Sequence, residues 1–156
     1  MIALLQRVRH AQVEVNGRLV GAIAQGLLVF IGVLRDDEET DAERLLDRVL
    51  NYRVFADAEG KMNLSLIGVQ GGLLLVPQFT LAADTRTGLR PSFTPAASPE
   101  RGQKLFDHLV HRAQNRLPAV ACGVFGADMQ VSLTNEGPAT FWLQVPPGGN
   151  GQSTIA

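Results

Sequence analysis

The sequence predicts an α+β fold, mixed but dominated by sheet, in one compact domain with two main helices. Three observations lead there. Asn16-Gly17 stands between two stretches of strand-like residues, and both positions tolerate the positive φ of a two-residue hairpin turn. Residues 26–34 and 72–76 are apolar on both faces, the mark of strands covered on both sides. Two longer polar stretches carry apolar residues at helical spacing.

Taken in order, residues 2–9 read as a first strand. Residues 11–15 alternate, with Val13 and Val15 on one face, and 18–23 return as the partner strand. Residues 26–34 follow as a central strand. The acidic residues 36–40 suit a helix N-terminus, where the dipole favours negative charge. Asp36, Asp37, Glu38 and Glu39 read as a solvated loop and helix start. Ala42, Leu45, Leu46, Val49 and Leu50 then line one face of a helix over 40–52. Val54-Phe55 reads as a short strand, 57–61 as a turn and 72–76 as another buried strand. Residues 84–98, with Gly88, Pro91 and Pro95, form a long irregular stretch of a length that is often functional. Ser98-Pro99-Glu100 starts the second helix, with a serine cap and proline at the first helical position. Its buried face is Leu105, Leu109, Ala113 and Leu117. Residues 128–134 and 139–145 read as two strands flanking Asn135-Glu136-Gly137-Pro138. The domain is expected over 1–146, with a flexible tail over 147–156.

A chain of 156 residues, 46% hydrophobic and 19% charged, has the composition of one folded domain. Its net charge of −1 does not suit a protein that clamps a long duplex, so any RNA contact should be small and local, and no DNA partner is expected. Lys61, Arg86 and Arg90 are candidates for phosphate contact, against the ordinary reading of solvated side chains. The single cysteine, Cys122, cannot form an internal disulfide. It reads as a small buried apolar residue in a reducing, cytoplasmic setting. No apolar run reaches the ~18 residues of a membrane span. The nucleophile elbow, the phosphate loop and the zinc cysteine pair are all missing. His108 and His111 share a helix face but are too few for a metal, and they read as exposed. Neither metal nor cofactor is expected.

Two segments remain: Pro77-Gln78-Phe79-Thr80-Leu81 and Asn135-Glu136-Gly137-Pro138-Ala139-Thr140. The pair resembles the signature of the D-aminoacyl-tRNA deacylases. Met62-Asn63-Leu64, Ala82-Ala83-Asp84-Thr85, Arg90-Pro91-Ser92-Phe93 and Ala127-Asp128-Met129-Gln130-Val131 resemble that family too, so the likeness runs from Met1 to about Val145. It implies a deacylase-type fold and a homodimer with a sheet-built interface, acting on the 3′ end of aminoacyl-tRNA. In the family, a Gly-Pro wedge from one subunit enters the pocket of the other. The resemblance therefore places Gln78, Phe79 and Thr80 as catalytic residues, and Gly137, Pro138, Arg7 and Met129 as substrate-binding ones. Arg7 would brace the wedge, or serve simply as a sheet-edge arginine.

The missing nucleophile fits such a substrate. The ester is already activated, and the neighbouring ribose hydroxyl can polarise or deliver water, so positioning and oxyanion stabilisation suffice. The Phe79 and Thr80 amides are the candidate oxyanion donors. A covalent role for Thr80 lacks a base beside it in sequence. A stiff main-chain wedge, with Gly137-Pro138 cis, would block an L side chain and admit a D one. Glycine, having no side chain, would pass.

Two positions depart from the family pattern. Pro77 stands where serine is usual, and Val124 where arginine is expected. A related editor that removes L-alanine also has proline at the first place. Relaxed chirality toward L-alanyl-tRNA therefore stays open, as does a non-catalytic dimeric nucleic-acid-binding module.

Overall fold

The computed structural model describes residues 1–148, so most of the tail expected over 147–156 lies outside the described residues. The first strand is longer than the sequence suggests: β1 runs without a break over Ile2–Val15. It turns at Asn16 and Gly17, whose φ values of 51° and 72° are those of the expected hairpin. β2 is Arg18–Ile23 and β3 is Gly26–Gly32. The first half of β1 pairs antiparallel with β3, and its second half with β2.

Helix α1, Glu39–Asn51, carries the chain across to a short hairpin of β4, Phe55–Ala56, and β5, Met62–Leu64. A single helical turn, α2, Leu66–Val69, follows; Ser65 caps it and Gln70 ends it in the left-handed region. β6, Gly72–Pro77, then lies parallel to β3. Gly26 and Gly72 face each other where that pair begins. A Cβ on Gly26 would come within 1.9 Å of the Gly72 carbonyl oxygen, so the two backbones approach this closely only without side chains. Helix α3, Pro99–Gln114, returns the chain to β7, Val120–Cys122, parallel to β6. Ser98 Oγ accepts the Arg101 amide at its start, as the sequence predicts.

The last strand differs from expectation. Residues 130–144 form one strand, β8, Gln130–Gln144, paired along β1, and not two strands either side of the Gly-Pro segment. The sheet order is β2-β1-β3-β6-β7, with β8 also on β1. Length decides this: β1 is long enough to hold both halves of β8 in register, so the glycine and proline interrupt the ladder without ending it.

Alternation along the central strands fills two cores. Leu27, Val29, Leu73 and Leu75 face α1 and α3, meeting Leu45, Leu46, Leu50, Leu105 and Leu109. Leu28, Leu74 and Val76 face the other way, toward Val8, Val13 and Ile23. Each fully buried leucine contributes ~1.5–3 kcal/mol relative to exposure. That second core exists because the sheet curls. A Cβ on Gly21 of β2 would sit 2.9 Å from the Cys122 carbonyl oxygen of β7.

Two sequence readings of charged residues need correction. Asp37 is buried, not solvated, and Asp41 is buried as well. The Met1 ammonium donates to Asp37 Oδ1 at 2.6 Å, and the Leu34 amide donates to Oδ2 at 2.7 Å. Burial pushes the Asp37 carboxyl above the ordinary carboxylate range, while these bonds pull the other way. The partner lies 36 residues away, so no local pattern could show it. His108 is only partly exposed. It lies between Glu39 and Glu43 in a row of α1–α3 ion pairs that also includes Lys104–Glu39 and Arg112–Glu43. His111 is exposed, as expected. Cys122 is partly buried against the main core, and burial raises its thiol pKa, which suits a structural role.

Candidate active site

Parallel strands leave a crevice beyond their carboxyl ends, where the next segment must turn away. Here β3 and β6 end side by side, and α3 begins beside them. β6 stops at Pro77. The Gln78 amide still donates to the Ile31 carbonyl at 2.7 Å, and the chain then enters a 3-10 turn, Phe79–Ala82. Pro77 fits this place for a definable reason. In β6 the odd-numbered amides point toward β7, as when Leu73 donates to the Ala119 carbonyl. The position of Pro77 lies past the end of β7, so the missing N–H leaves no ladder bond unmade.

The turn puts Gln78, Phe79 and Thr80 together. Gln78 Nε2 donates to Thr80 Oγ1. The Phe79 and Thr80 amides open the turn, and among the described residues neither donates to a backbone carbonyl. Phe79 is 58% exposed and packs on Phe93 of the long loop, with ring centroids 5.0 Å apart. Two cavities flank it. One, of about 250 Å³, is bounded by Pro77, Phe79, Pro99, Phe106 and Phe125 at the start of α3. The other, of about 240 Å³, is bounded by Gln78, Phe79, Ala127 and Met129. Met129 thus joins the pocket, and its sulfur accepts the Val124 amide at 3.4 Å. Val124, where the pattern expects arginine, is itself partly exposed and brings no charge.

A second cluster forms on β8. Gln6 pairs with Thr140, and Val8 with Asn135, so Arg7 alone faces residues 136–139. Those four residues bulge out of the sheet. The Gly137-Pro138 peptide is cis, and both residues are exposed. Arg7 Nε donates to the Glu136 carbonyl at 2.9 Å, and its Nη1 donates to the Val54 carbonyl. Arg7 therefore ties the bulge to the β4 side of the domain and is not a free sheet-edge cation. Asn135 closes the base. Its Oδ1 accepts the Ala139 amide at 2.7 Å and its Nδ2 donates to Thr140 Oγ1 at 3.0 Å. This clamp was not anticipated from sequence, although asparagine four residues before the amide it binds is a recognisable local signal. Gly137 has φ 141°, and a Cβ there would lie 2.9 Å from Arg7 Nη2.

Within one chain the two clusters stay apart. Gln78, Phe79 and Met129 line cavities, and Thr80 is bonded to Gln78; Arg7, Gly137 and Pro138 share the bulge and line neither of those two cavities. Among the described residues, no group of three His, Cys, Asp or Glu side chains is placed to hold a metal. No helix there is long and apolar enough to cross a membrane.

Comparison with known proteins gives the family. The family model described as D-Tyr-tRNA(Tyr) deacylase matches residues 4–144. A D-aminoacyl-tRNA deacylase of Stutzerimonas stutzeri (strain A1501) is 62% identical over 144 residues, which is 92% of this chain and 99% of the relative. Among solved structures, the c-Myc DNA Unwinding Element Binding Protein superposes with a TM-score of 0.89 at 34% identity, covering 94% of this chain and 99% of that one. A structure described as "a probable eukaryotic D-amino acid tRNA deacylase" shares the fold at a TM-score of 0.74 and 20% identity, covering 91% and 98%. A match over nearly the whole length, including both motif segments, places the chain in the D-Tyr-tRNA(Tyr) deacylase family, whose members are hydrolases acting on the ester bond of aminoacyl-tRNA.

Proposed function

We propose that this protein hydrolyses the ester joining a D-amino acid to the 3′ end of tRNA, and glycyl-tRNA mischarged on tRNA(Ala) as well. The observation that carries the reading is the separation of the two clusters. An open pocket offers amides and a hydroxyl but nothing to sense handedness. A rigid, exposed main-chain bulge lines neither of the two cavities beside Phe79. Each supplies what the other lacks if two copies pair so that the bulge of one enters the pocket of its partner.

In that homodimer the ester carbonyl lies against the Phe79 and Thr80 amides, which stabilise the developing oxyanion. The Thr80 hydroxyl, held by Gln78 Nε2, aligns water or the ester. The free ribose hydroxyl of the substrate assists attack, so no protein nucleophile is required. The Gly137-Pro138 main chain closes off the direction an L side chain would take. Because backbone braced by Arg7 and Asn135 does not change rotamer, it discriminates better than a side chain could. Glycine presents nothing to reject.

Deacylation assays with D-tyrosyl-tRNA and L-tyrosyl-tRNA test this directly. The D ester should be cleaved and the L ester left intact; equal rates would contradict the reading. Pro77 favours one alternative, a relaxed selectivity in which L-alanyl-tRNA is cleaved quickly. The likeness to a DNA-element-binding protein favours another, binding without turnover.

A further inference from the structure

The loop of residues 83–98 packs on the pocket: Phe93 lies against Phe79, and Ala97 and Ser98 line one cavity. Its tip is a small closed structure. Asp84 and Ser92 exchange two backbone hydrogen bonds, of 2.7 and 3.1 Å, so residues 85–91 project as one unit. Phe93, immediately after, holds that unit against Phe79. The tip is therefore fixed relative to the pocket mouth.

Its charges are arranged unevenly. Asp84 is the loop's only carboxylate. It accepts from Arg86 Nε at 2.9 Å and from Nη2 at 2.7 Å. Among the described residues that leaves Arg86 Nη1 without a partner, on a guanidinium whose side chain is 86% exposed. Arg90 is exposed and makes no ion pair among the described residues. At the base of the loop, Arg35 donates from Nη2 to the Thr94 carbonyl. A chain of net charge −1 thus places two guanidinium groups on one loop beside its pocket and a third, that of Arg35, at the loop's base.

We propose that this tip is the phosphate-binding clamp for the acceptor end of the tRNA. Arg90 is the principal contact, and Arg86, aimed by Asp84, is the second. The proposal rests on the deacylase reading, because a pocket holding the terminal nucleoside fixes where the preceding phosphates must run. The planar guanidinium is suited to phosphate oxygens, and fixing Arg86 beforehand lowers the ordering cost of using it. Such contacts set position and affinity without reading sequence.

The test compares two substrates: D-tyrosyl-tRNA, and the D-tyrosyl ester of adenosine, which has no phosphate. Arg90→Ala should raise KM for the tRNA ester about five- to tenfold and leave kinetics on the adenosine ester unchanged. It should also flatten the dependence of log(kcat/KM) on log salt by about 0.7–0.9, the value of one lost phosphate contact. Arg86→Ala should do the same more weakly, and Arg90→Lys should restore part of the loss. Arg18→Ala, at an exposed arginine on the β1–β2 hairpin, should change neither substrate. Loss on both substrates alike, no loss on either, or equal loss in Arg18→Ala would overturn the clamp while the wild type still cleaves both esters. A wild type that cleaves neither would overturn the clamp and the deacylase reading together.

Discussion

The pocket beyond β6 and the bulge on β8 are built on opposite principles. The pocket is where regular structure stops. Two parallel strands end, a 3-10 turn begins, and the first amides of that turn have no backbone partner among the described residues. The bulge is where regular structure is interrupted and resumes. β8 leaves its ladder for four residues and rejoins it, while Arg7 and Asn135 hold the excursion with side-chain bonds. One region offers unsatisfied donors and the other a satisfied, rigid protrusion. In the proposed function chemistry uses the first and shape discrimination the second, and a single chain keeps them apart.

That contrast can be broken most severely at Gly137. A β-carbon there meets Arg7 Nη2 at 2.9 Å and must accept φ 141°, a conformation costing ~1–3 kcal/mol for other residues. In Gly137→Ala, kcat/KM on D-tyrosyl-tRNA should fall about 10- to 100-fold or discrimination against the L ester should collapse. The thermal midpoint should fall with that strain, by about 2–4 °C per kcal/mol in a domain of this size. Wild-type activity and selectivity together would show that the bulge has no part in the site.

Thr80→Ala should have a smaller effect, confined to the pocket. It removes the hydroxyl that Gln78 Nε2 holds, and kcat should drop about tenfold with chirality preserved, as expected for lost alignment. If chirality changed and kcat did not, the division of labour between the regions would be reversed.

The smallest expected effect lies in the loop that flanks the pocket. Arg86 beside Asp84 pulls that carboxyl down to about 2. The folded value is depressed, so the contribution of this pair is present above the usual value of about 3.9 and is lost as pH falls through about 2. The Asp84–Arg86 pair is therefore intact across the physiological range. A carboxyl-carbon NMR titration should place Asp84 near 2, and Arg86→Ala should return it toward 3.9.

Legibility in sequence follows how local each cause is. The β1–β2 turn was readable because Asn16 and Gly17 carry their own conformational preference. The start of α3 was readable because Ser98 and Pro99 are a cap and a first-turn residue. β7 was missed because three residues give no period, and its place beside β6 comes from β6 and not from its own side chains. The continuity of β8 was missed because it depends on the length of β1. Asp37 was misread because an acidic run looks solvated until the chain terminus is brought to it. At the site, Gln78, Phe79 and Thr80 were legible as a motif and stay together because they are contiguous. Asn135, by contrast, was read only as part of a motif, and its role appears once the Ala139 amide and Thr140 hydroxyl are seen beside it.

The central claim, that the bulge of one subunit completes the pocket of another, is tested most directly by complementation. Two variants impaired in D-selective hydrolysis, Gly137→Ala and a pocket variant such as Gln78→Ala paired with Thr80→Ala, are co-expressed with different affinity tags, and the mixed dimer is isolated. Its two sites are then unequal: one carries both defects and the other carries neither. The account predicts about half the wild-type activity per dimer, with full preference for the D ester. A mixed dimer no more active or selective than its two parents would contradict it.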